Sequence, residues 1–393
     1  MANKETKPGC SWKWNFLLFN AKSGYATMCC DHDGARANLK EIETKGVPII
    51  INSPSMIKDR QAMLDGEELP HCQSCYRHIT EDPARGGTLY ENYNETSNSG
   101  KLRSLGIMLN TTCLYTCVYC SEHYSSSWYR DVDINGSYQL ATQNTHNLST
   151  LDKVQNKISI KDVSQSKYYD ALRELIAGPT GEELDTLRIG GGEPLLYESL
   201  LEFITTTQEK RPKLSIEIYT GLGVSDIIFK NFIKDTIAIK DQLKIVLSQE
   251  SYGAQAEFQR YGTNWEKWES MANQLLELEY HVEFNSVLNI MSLFTMQDFI
   301  AWKNSTKFKD AILRIQPLKG PPFMSIQPLA KNLHEELLYK FYDSDLDFDI
   351  TKYIPEYQNN EREDLKAFLE EFARRRNLDI AVFPQQFQDW LNG

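Results

Sequence analysis

Short apolar segments alternate, through the middle of the chain, with longer segments in which apolar residues recur every three or four positions. The short segments predict buried strands, and the longer segments predict amphipathic helices. Strands are predicted at 105–109, 184–189, 214–219, 243–247, 280–287 and 311–318. Helices are predicted at 168–176, 197–207, from 224 onward, and at 264–278 and 296–303. This alternation indicates an α/β fold with a parallel sheet.

The two flanks of this alternating region have different patterns. Residues 1–100 contain five of the eight cysteines. They also contain a predicted helix that begins after Ser53 and Pro54 and ends at Gly66. We predict three parts: a cysteine-rich module at 1–100, an α/β domain at 101–320 with a polar insertion at 131–165, and a helical C-terminal cap at 321–393.

The composition narrows the class of protein. The 393 residues are 41% hydrophobic and 24% charged, values that suit one large globular domain plus a small one. The net charge is −12 and no Lys- or Arg-rich run is long enough to follow a phosphate backbone, so general nucleic-acid binding is not expected. Because the chain has neither a signal-peptide pattern nor an apolar run of about 18 residues, we expect a cytoplasmic protein that does not enter a membrane. Cysteines in that reducing compartment are expected to be metal ligands or free thiols.

Three cysteines follow the first predicted strand at close spacing, in the pattern Cys113-x3-Cys117-x2-Cys120. A loop at the carboxyl end of a strand is where α/β folds place their chemistry. Three thiolates can bind three irons of a [4Fe-4S] cluster and leave the fourth iron open. On spacing alone, a zinc site or three unrelated thiols are the alternatives.

The three cysteines, with the aromatic Tyr119 before the last of them, resemble the signature of radical SAM enzymes. The resemblance implies that Cys113, Cys117 and Cys120 bind the [4Fe-4S] cluster and that S-adenosylmethionine (SAM) chelates the open iron. One electron from the cluster would then split SAM to give a 5′-deoxyadenosyl radical. Six βα units match the partial (βα)6 TIM-like barrel of that family, and Tyr119 is expected to contact the cofactor.

A second motif agrees with this resemblance. The second predicted strand is followed by glycines and a carboxylate, Gly191-Gly192-Glu193. Glycines let the backbone approach a ligand closely, and a carboxylate accepts hydrogen bonds from an ammonium group. The motif resembles the GGE motif of radical SAM enzymes, which implies that Gly191, Gly192 and Glu193 bind the amino end of SAM.

Two polar residues near the fourth predicted strand complete the expected cofactor site. The family often uses a polar residue at this strand end for the ribose of SAM and an arginine soon after it for the SAM carboxylate. The resemblance therefore implies these roles for Ser248 and Arg260. The alternative for both is ordinary surface polarity or a helix cap.

The N-terminal cysteines form a second candidate metal site. Cys10 is followed by Gly24 and then Cys29, and Cys72-x2-Cys75 supplies a pair of thiols that point the same way. The pattern resembles the first part of SPASM and twitch modules, although here it precedes the radical SAM cysteines and so looks permuted.

That resemblance implies one auxiliary [4Fe-4S] cluster. No cysteine follows Cys120, so a second auxiliary cluster would have no ligands. The expected ligands are Cys10, Cys29, Cys72 and Cys75, with Cys30 as the alternative to Cys29. A structural zinc, helped by His71 and His32, is the alternative metal.

The combined resemblance implies hydrogen-atom abstraction from a substrate, with a flavodoxin or ferredoxin as electron donor. SPASM and twitch enzymes point to a peptide or protein side chain as substrate. Only nine residues precede Cys10, so no room is expected for a leader-binding domain there, and a small amino-acid-like or nucleotide-like metabolite is the alternative substrate. The alternative from another class is a non-enzymatic zinc-binding interaction protein.

Overall fold

The computed structural model describes residues 10–20, 25–28, 36–38, 48–72, 97–108, 110–142, 145–146, 167–197, 199–318, 320–326 and 359–393. The chain forms two compact units. The first comprises Met1–Asn110, Asp162–Gly190 and Glu198–Glu217, and the second comprises Thr111–Lys161, Gly191–Tyr197 and Ile218–Gly393. The cysteines from Cys113 to Cys120 and the residues predicted to bind SAM all belong to the second unit, whereas Cys10 and Cys72 belong to the first.

The strands are numbered in chain order. They are β1 Phe16–Asn20, β2 Tyr25–Thr27, β3 Arg36–Asn38, β4 Ser104–Met108, β5 Thr116–Cys117, β6 Tyr138–Gln139, β7 Thr145–His146, β8 Thr186–Gly190, β9 Ser215–Thr220, β10 Leu243–Ser248, β11 Arg260–Tyr261, β12 His281–Leu288 and β13 Leu313–Pro317.

The helices are numbered in the same way. They are α1 Trp12–Asn15, α2 Pro48–Ile51, α3 Pro54–Asp65, α4 Ser126–Asn135, α5 Lys167–Ala177, α6 Leu200–Lys210, α7 Asp226–Thr236, α8 Gly253–Gln259, α9 Trp265–Glu277, α10 Ile290–Leu293, α11 Met296–Ser305, α12 Asn359–Arg376 and α13 Gln385–Asn392. Single 3-10 turns occur at Pro70–Cys72, Pro179–Gly181, Pro194–Leu196, Ile237–Gln242, Pro322–Met324 and Ile380–Val382.

In the first unit, β1, β4 and β8 form parallel neighbours, with β4 between the other two. On the other side of β1, β2 and β3 continue the sheet in antiparallel fashion. Strand β1 was not predicted. Its apolar residues are mostly buried beside β4, so part of the predicted cysteine-rich module extends the sheet of this unit.

In the second unit, β10, β12 and β13 are parallel neighbours in that order. Two short antiparallel pairs accompany them: β5 with β11, and β6 with β7. The fold is thus mixed α/β with mostly parallel strands, as the alternating pattern predicts. Residues predicted as polar insertion from 131 onward form the end of α4 and the strands β6 and β7, while 147–166 lie outside the described residues.

Helix α3 shows why the local sequence signals succeed. The Ser53 hydroxyl accepts a hydrogen bond from the Met56 N–H, and Pro54 occupies the first turn. Gly66 ends the helix at φ 85°, a left-handed conformation that glycine adopts without strain. The helix predicted between these residues is therefore confirmed.

The C-terminal helix α12 packs within the second unit through aromatic side chains. The Phe368 ring centroid lies 4.9 Å from that of Tyr138, and the Phe372 centroid lies 5.8 Å from that of Trp128. All four side chains are buried. These contacts fix α12 beside α4 and β6. Among the described residues, no helix has both the length and the apolar character needed to cross a membrane.

Candidate functional site

The cysteine loop, residues 111–120, is held by the first turn of α4. The Ser126 hydroxyl accepts a hydrogen bond from the Cys113 N–H at 3.1 Å, and the Ser127 hydroxyl donates to the Cys113 carbonyl at 2.7 Å. The Trp128 indole N–H donates to the Cys117 carbonyl at 2.8 Å. Backbone groups beside two of the three cysteines are therefore fixed by side chains of one helix terminus.

A buried tyrosine anchors the same loop from its other side. The Tyr115 hydroxyl donates to the Gly221 carbonyl at 3.2 Å. A Cβ atom at Gly221 would lie 2.9 Å from the Tyr115 ring, and one at Gly223 would lie 3.0 Å from it. A Cβ atom at Gly262, which has φ 107°, would lie 2.9 Å from the Leu114 carbonyl oxygen. The Tyr115 ring thus packs against glycine positions at which there is no space for a side chain.

The GGE turn, residues 191–193, packs directly against the cysteine loop. The Glu193 N–H donates to the Thr112 carbonyl at 2.7 Å. A Cβ atom at Gly192 would lie 2.3 Å from that carbonyl oxygen, a distance that no side chain tolerates. The two motifs that carry the family resemblance are therefore in contact, although they are far apart in the sequence.

The Glu193 carboxylate is turned into the protein, where its side chain is 1% exposed. It accepts hydrogen bonds from the Thr220 hydroxyl at 2.6 Å and from the N–H groups of Leu195, Gly221 and Gly223 at 3.1, 3.0 and 3.3 Å. Burial raises the pKa of this carboxyl, and the hydrogen bonds lower it; the net direction is upward. The carboxylate fixes the loop that surrounds Tyr115, and its predicted contact with SAM stays a prediction.

Arg260 approaches the cysteine loop through strand pairing. Strand β11 pairs with β5 so that Arg260 stands opposite Cys117. Its Nη1 lies 3.8 Å from the Cys117 Sγ, and its Nε and Nη2 donate to the Glu250 Oε2 at 3.0 and 2.6 Å. The Tyr119 hydroxyl donates to the same carboxylate at 3.0 Å. Two residues predicted to contact the cofactor thus share one partner, Glu250, which was not predicted.

Ser248 is the remaining residue that was predicted to bind the cofactor. It ends β10 and stands opposite Asn285 of β12. It is half-buried. The next residue, Gln249, is fully buried, and neither polar atom of its side chain has a hydrogen-bond partner within the described part of the chain. This strand end therefore collects polar groups next to Glu250.

Burial shifts the ionisation of all three thiols in the same direction. The protein packed around the sulfurs raises the pKa of Cys113 to about 12 and that of Cys117 to about 11, and it also raises the pKa of Cys120. Burial is the largest cause, and the charge of Cys117 adds to the shift of each of the other two. Three thiolates here need a cationic centre to offset their charge.

This donor set suits a cluster with several irons. In the described residues, no group of three or more His, Cys, Asp or Glu side chains is arranged to hold a metal ion. The three thiols of an iron–sulfur cube bind three different irons, so they need not converge on one point as the ligands of a zinc ion do.

The N-terminal cysteines are described only in part. Cys10 packs against a buried group in the first unit made of Trp14, Met63, Leu69 and Cys72. Two of the four predicted auxiliary ligands therefore belong to, or pack against, the same apolar group. Cys29, Cys30, Cys75 and His32 lie outside the described residues.

His71, the other proposed helper of a zinc ion, has a carboxylate partner. Its Nε2 lies 3.0 Å from Asp59 Oδ2, which also accepts a hydrogen bond from the buried Lys13 ammonium at 2.7 Å. Lys13, Asp59 and His71 therefore form one polar group in the first unit.

No protein-family model matches the chain, and the comparison with curated proteins also finds no match. Among solved structures, the chain is similar to native anSMEcpe with bound AdoMet at 16% identity and a TM-score of 0.40. That alignment covers 61% of this chain and 59% of the other. The chain thus spans less than two thirds of the first solved structure that it matches.

Two further similar structures also hold AdoMet. Streptococcus suis SuiB bound to S-adenosylmethionine matches at 14% identity and a TM-score of 0.38, over 83% of this chain and 68% of that one. BtrN in complex with AdoMet and 2-DOIA matches at 17% identity and a TM-score of 0.27, over 47% of this chain and 57% of that one.

Several residues of the site were missed in the sequence. Arg376 of α12 is 4% exposed; its Nε donates to the Thr116 hydroxyl at 3.0 Å, and its guanidinium lies 5.1 Å from the Trp128 ring centroid. Glu250 and Tyr115 were missed as well. A buried tyrosine between glycine-rich turns is a weak signal that could have pointed to Tyr115, but Arg376 has no local signal because its partners lie far away in the sequence.

Proposed function

We propose that the chain is a radical SAM enzyme. The observation that carries this proposal is the contact between the cysteine loop and the GGE turn, made by the Glu193 N–H and by Gly192 on the Thr112 carbonyl. A zinc-binding interaction protein has no need to join three closely spaced thiols to a glycine-rich turn. A SAM-binding site does, because SAM must reach an iron and a backbone cradle at once.

In this proposal Cys113, Cys117 and Cys120 hold a [4Fe-4S] cluster, within the partial (βα)6 barrel that the strand and helix order predicts. When bound, cluster and SAM together would supply a radical able to remove a hydrogen atom from an unactivated carbon. Gly191 and Gly192 would let the backbone approach SAM, and Glu193 would hold the neighbouring glycine loop. Tyr119 and Ser248 would line the cofactor site.

We further propose one auxiliary [4Fe-4S] cluster, bound by Cys10, Cys29, Cys72 and Cys75. The support is that Cys72 belongs to a buried apolar group and that Cys10 packs against this group. A flavodoxin or ferredoxin is proposed as the electron donor. For the auxiliary site, zinc is the competing metal, since it also favours four thiolates.

The proposed substrate is a peptide or protein side chain, from the resemblance of the N-terminal cysteines to SPASM and twitch modules. Peptide-bound neighbours include anSMEcpe with the Cp18Cys peptide and SuiB with its precursor peptide SuiA, and BtrN is bound to 2-DOIA. A small metabolite is the second candidate. Turnover that is unchanged when a candidate peptide is withheld would contradict the peptide proposal.

Anaerobic reconstitution tests the proposed function. We expect about eight irons per wild-type chain, as two four-iron clusters require, and 5′-deoxyadenosine when dithionite and SAM are added. Cys117→Ala should lose about four irons and all 5′-deoxyadenosine. Ser121→Ala, next to the last cysteine, is the matched control and should retain both. Zinc without iron, together with intact SAM, would favour the zinc-binding interaction protein instead.

A further inference from the structure

Strand pairing brings Arg260 to the sulfur of one loop cysteine. Arg260 and Cys117 are direct partners in the antiparallel pair of β11 and β5. The Val118 N–H donates to the Gln259 carbonyl at 2.8 Å and extends this pairing by one more bond. The backbone therefore fixes the position from which the Arg260 side chain starts.

The Arg260 guanidinium is divided between two acceptors. Nε and Nη2 bind the Glu250 Oε2, while Nη1 lies 3.8 Å from the Cys117 Sγ, within hydrogen-bond range for sulfur. The Arg260 side chain is 7% exposed and the Glu250 side chain is 0% exposed. Water therefore competes little with either contact, and charge-assisted hydrogen bonds are strongest in such surroundings.

Tyr119 fixes the carboxylate that orients the arginine. Its hydroxyl lies 3.0 Å from each Glu250 oxygen, and the Arg260 guanidinium lies 5.5 Å from its ring centroid. An arginine side chain stays protonated in proteins, so the guanidinium is charged. The Nη1 group of the Arg260 guanidinium, held in place by Glu250, therefore faces the Cys117 sulfur.

We infer that Arg260 is a positioning residue that donates a hydrogen bond to the Cys117 sulfur and sets the reduction potential of the cluster held by the loop. The inference rests on the proposed function. A hydrogen bond to a ligand sulfur stabilises the more negative, reduced form of a cluster and so raises its potential. The Cys113 sulfur receives a bond from the backbone N–H of Tyr115 at 3.4 Å, which no side-chain exchange removes. Arg260, by contrast, is a side-chain donor to Cys117 that mutagenesis can test.

The inferred role differs from the predicted role of Arg260 as a ligand of the SAM carboxylate. If Arg260 binds the SAM carboxylate, its exchange changes the affinity for SAM and leaves the reduction potential of the SAM-free cluster unchanged. If Arg260 donates a hydrogen bond to Cys117, its exchange changes the reduction potential of the SAM-free cluster. Measurements without SAM therefore separate the two roles.

The test is a potentiometric titration of the reconstituted protein without SAM, followed by electron paramagnetic resonance. All proteins carry Cys72→Ala, so that signals from auxiliary iron do not overlap. Arg260→Met removes the donors and should move the midpoint to a more negative value by about 59 mV, a tenfold change for a one-electron couple. Arg375→Met is the matched control. It removes another buried arginine of the second unit, whose guanidinium binds Asp131 and the Gly136 carbonyl, and should keep the wild-type midpoint.

Arg260→Lys covers the case in which Arg260→Met loses its iron. A lysine keeps the charge but cannot bind Glu250 and Cys117 through one rigid fork, so a smaller negative shift is expected. A wild-type midpoint in the loaded Arg260 variant, or an equal shift in Arg375→Met, would overturn the inference. If the wild type binds no iron at the loop, the proposed function fails instead, and that outcome is visible before any arginine variant is measured.

Discussion

The cysteine loop and the N-terminal cysteine pair are assembled in different ways. Three loop thiols are close in sequence, and hydrogen bonds from Ser126, Ser127 and Trp128 hold the backbone beside them. Cys10 and Cys72 are widely separated in the sequence; Cys72 lies in a buried apolar group with Trp14 and Met63, and Cys10 packs against that group. Sequence spacing therefore encodes the first arrangement, while the hydrophobic core of the first unit encodes the second.

A buried arginine occurs in each region, Arg260 near the cysteine loop and Arg60 in the first unit, and the two bind different kinds of group. Arg260 binds a carboxylate and a cysteine sulfur. Arg60 is fully buried and donates to the carbonyls of Lys13 and Asn98 and to the Asn52 side chain. The first arginine places charge next to a thiol, whereas the second joins separate backbone segments.

Exchange of one cysteine in each region has the largest expected effect. Cys113→Ala should abolish 5′-deoxyadenosine formation, because the loop cluster loses a ligand. Cys72→Ala should lower bound iron by about half and leave 5′-deoxyadenosine formation intact, because only the auxiliary four-iron cluster is lost. Iron assays and chromatography of the products measure both. Equal loss of 5′-deoxyadenosine in the two variants would mean that the regions form one functional site.

Arg60→Met should destabilise the protein by about 3 kcal/mol, because the buried Arg60 guanidinium serves three acceptors, which lose a charged donor. Chemical denaturation of the metal-free protein measures the change in free energy of unfolding. Arg103→Met is the control, since Arg103 is 58% exposed and forms a surface ion pair with Asp185 at 3.4 Å. A loss in the control as large as that in Arg60→Met would contradict the assigned role of Arg60.

Gly192→Ala should destabilise the protein by about 2 kcal/mol, because the new methyl group would lie on the Thr112 carbonyl oxygen. The variant should also bind less iron, since the GGE turn and the cysteine loop are pushed apart. Gly190→Ala is the matched control two residues earlier, where an added Cβ meets no atom within 4 Å. Denaturation and iron assays of both variants would expose any general intolerance of alanine in this segment.

Arg376→Ala should cost about 2 kcal/mol of stability, because the hydrogen bond to Thr116 and the packing on Trp128 are lost. The thermal unfolding midpoint and the amount of iron retained measure the effect. Arg374→Ala, two residues earlier, should change little, because Arg374 is 70% exposed and pairs only locally with Glu371. Unchanged iron retention in Arg376→Ala would show that α12 does not support the loop.

The regular elements were predictable because burial leaves a clear apolar period. Strands β10 and β12 lie within one residue of their predicted ends, and α9 buries Trp268, Met271 and Leu275 at helical spacing. Strand β1 was missed because its apolar run is too short to distinguish a strand from other buried segments. Strands β5 and β11 have two residues each, so they carry no periodic signal at all.

The site was predictable where its chemistry is local. The cysteine spacing and the GGE turn are visible in the printed sequence, and the structure brings them together. The partner of Arg260 was not predictable, because Ser248, Gln249 and Glu250 are consecutive polar residues and sequence alone does not say which one faces the loop. Tyr115 was missed for a similar reason, since its glycine neighbours are adjacent only in three dimensions.

The pairing of β5 with β11 affects the order in which the protein matures. Cys117 and Arg260 are 143 residues apart, and Thr116 and Arg376 are 260 residues apart. During synthesis the loop therefore leaves the ribosome long before its partners exist, and contacts of such long range form late in folding. We expect the three thiols to be open to alkylation in ribosome-stalled chains that end at residue 250, and shielded once residue 376 has emerged. The loop would then be most accessible to iron before its long-range partners have folded onto it.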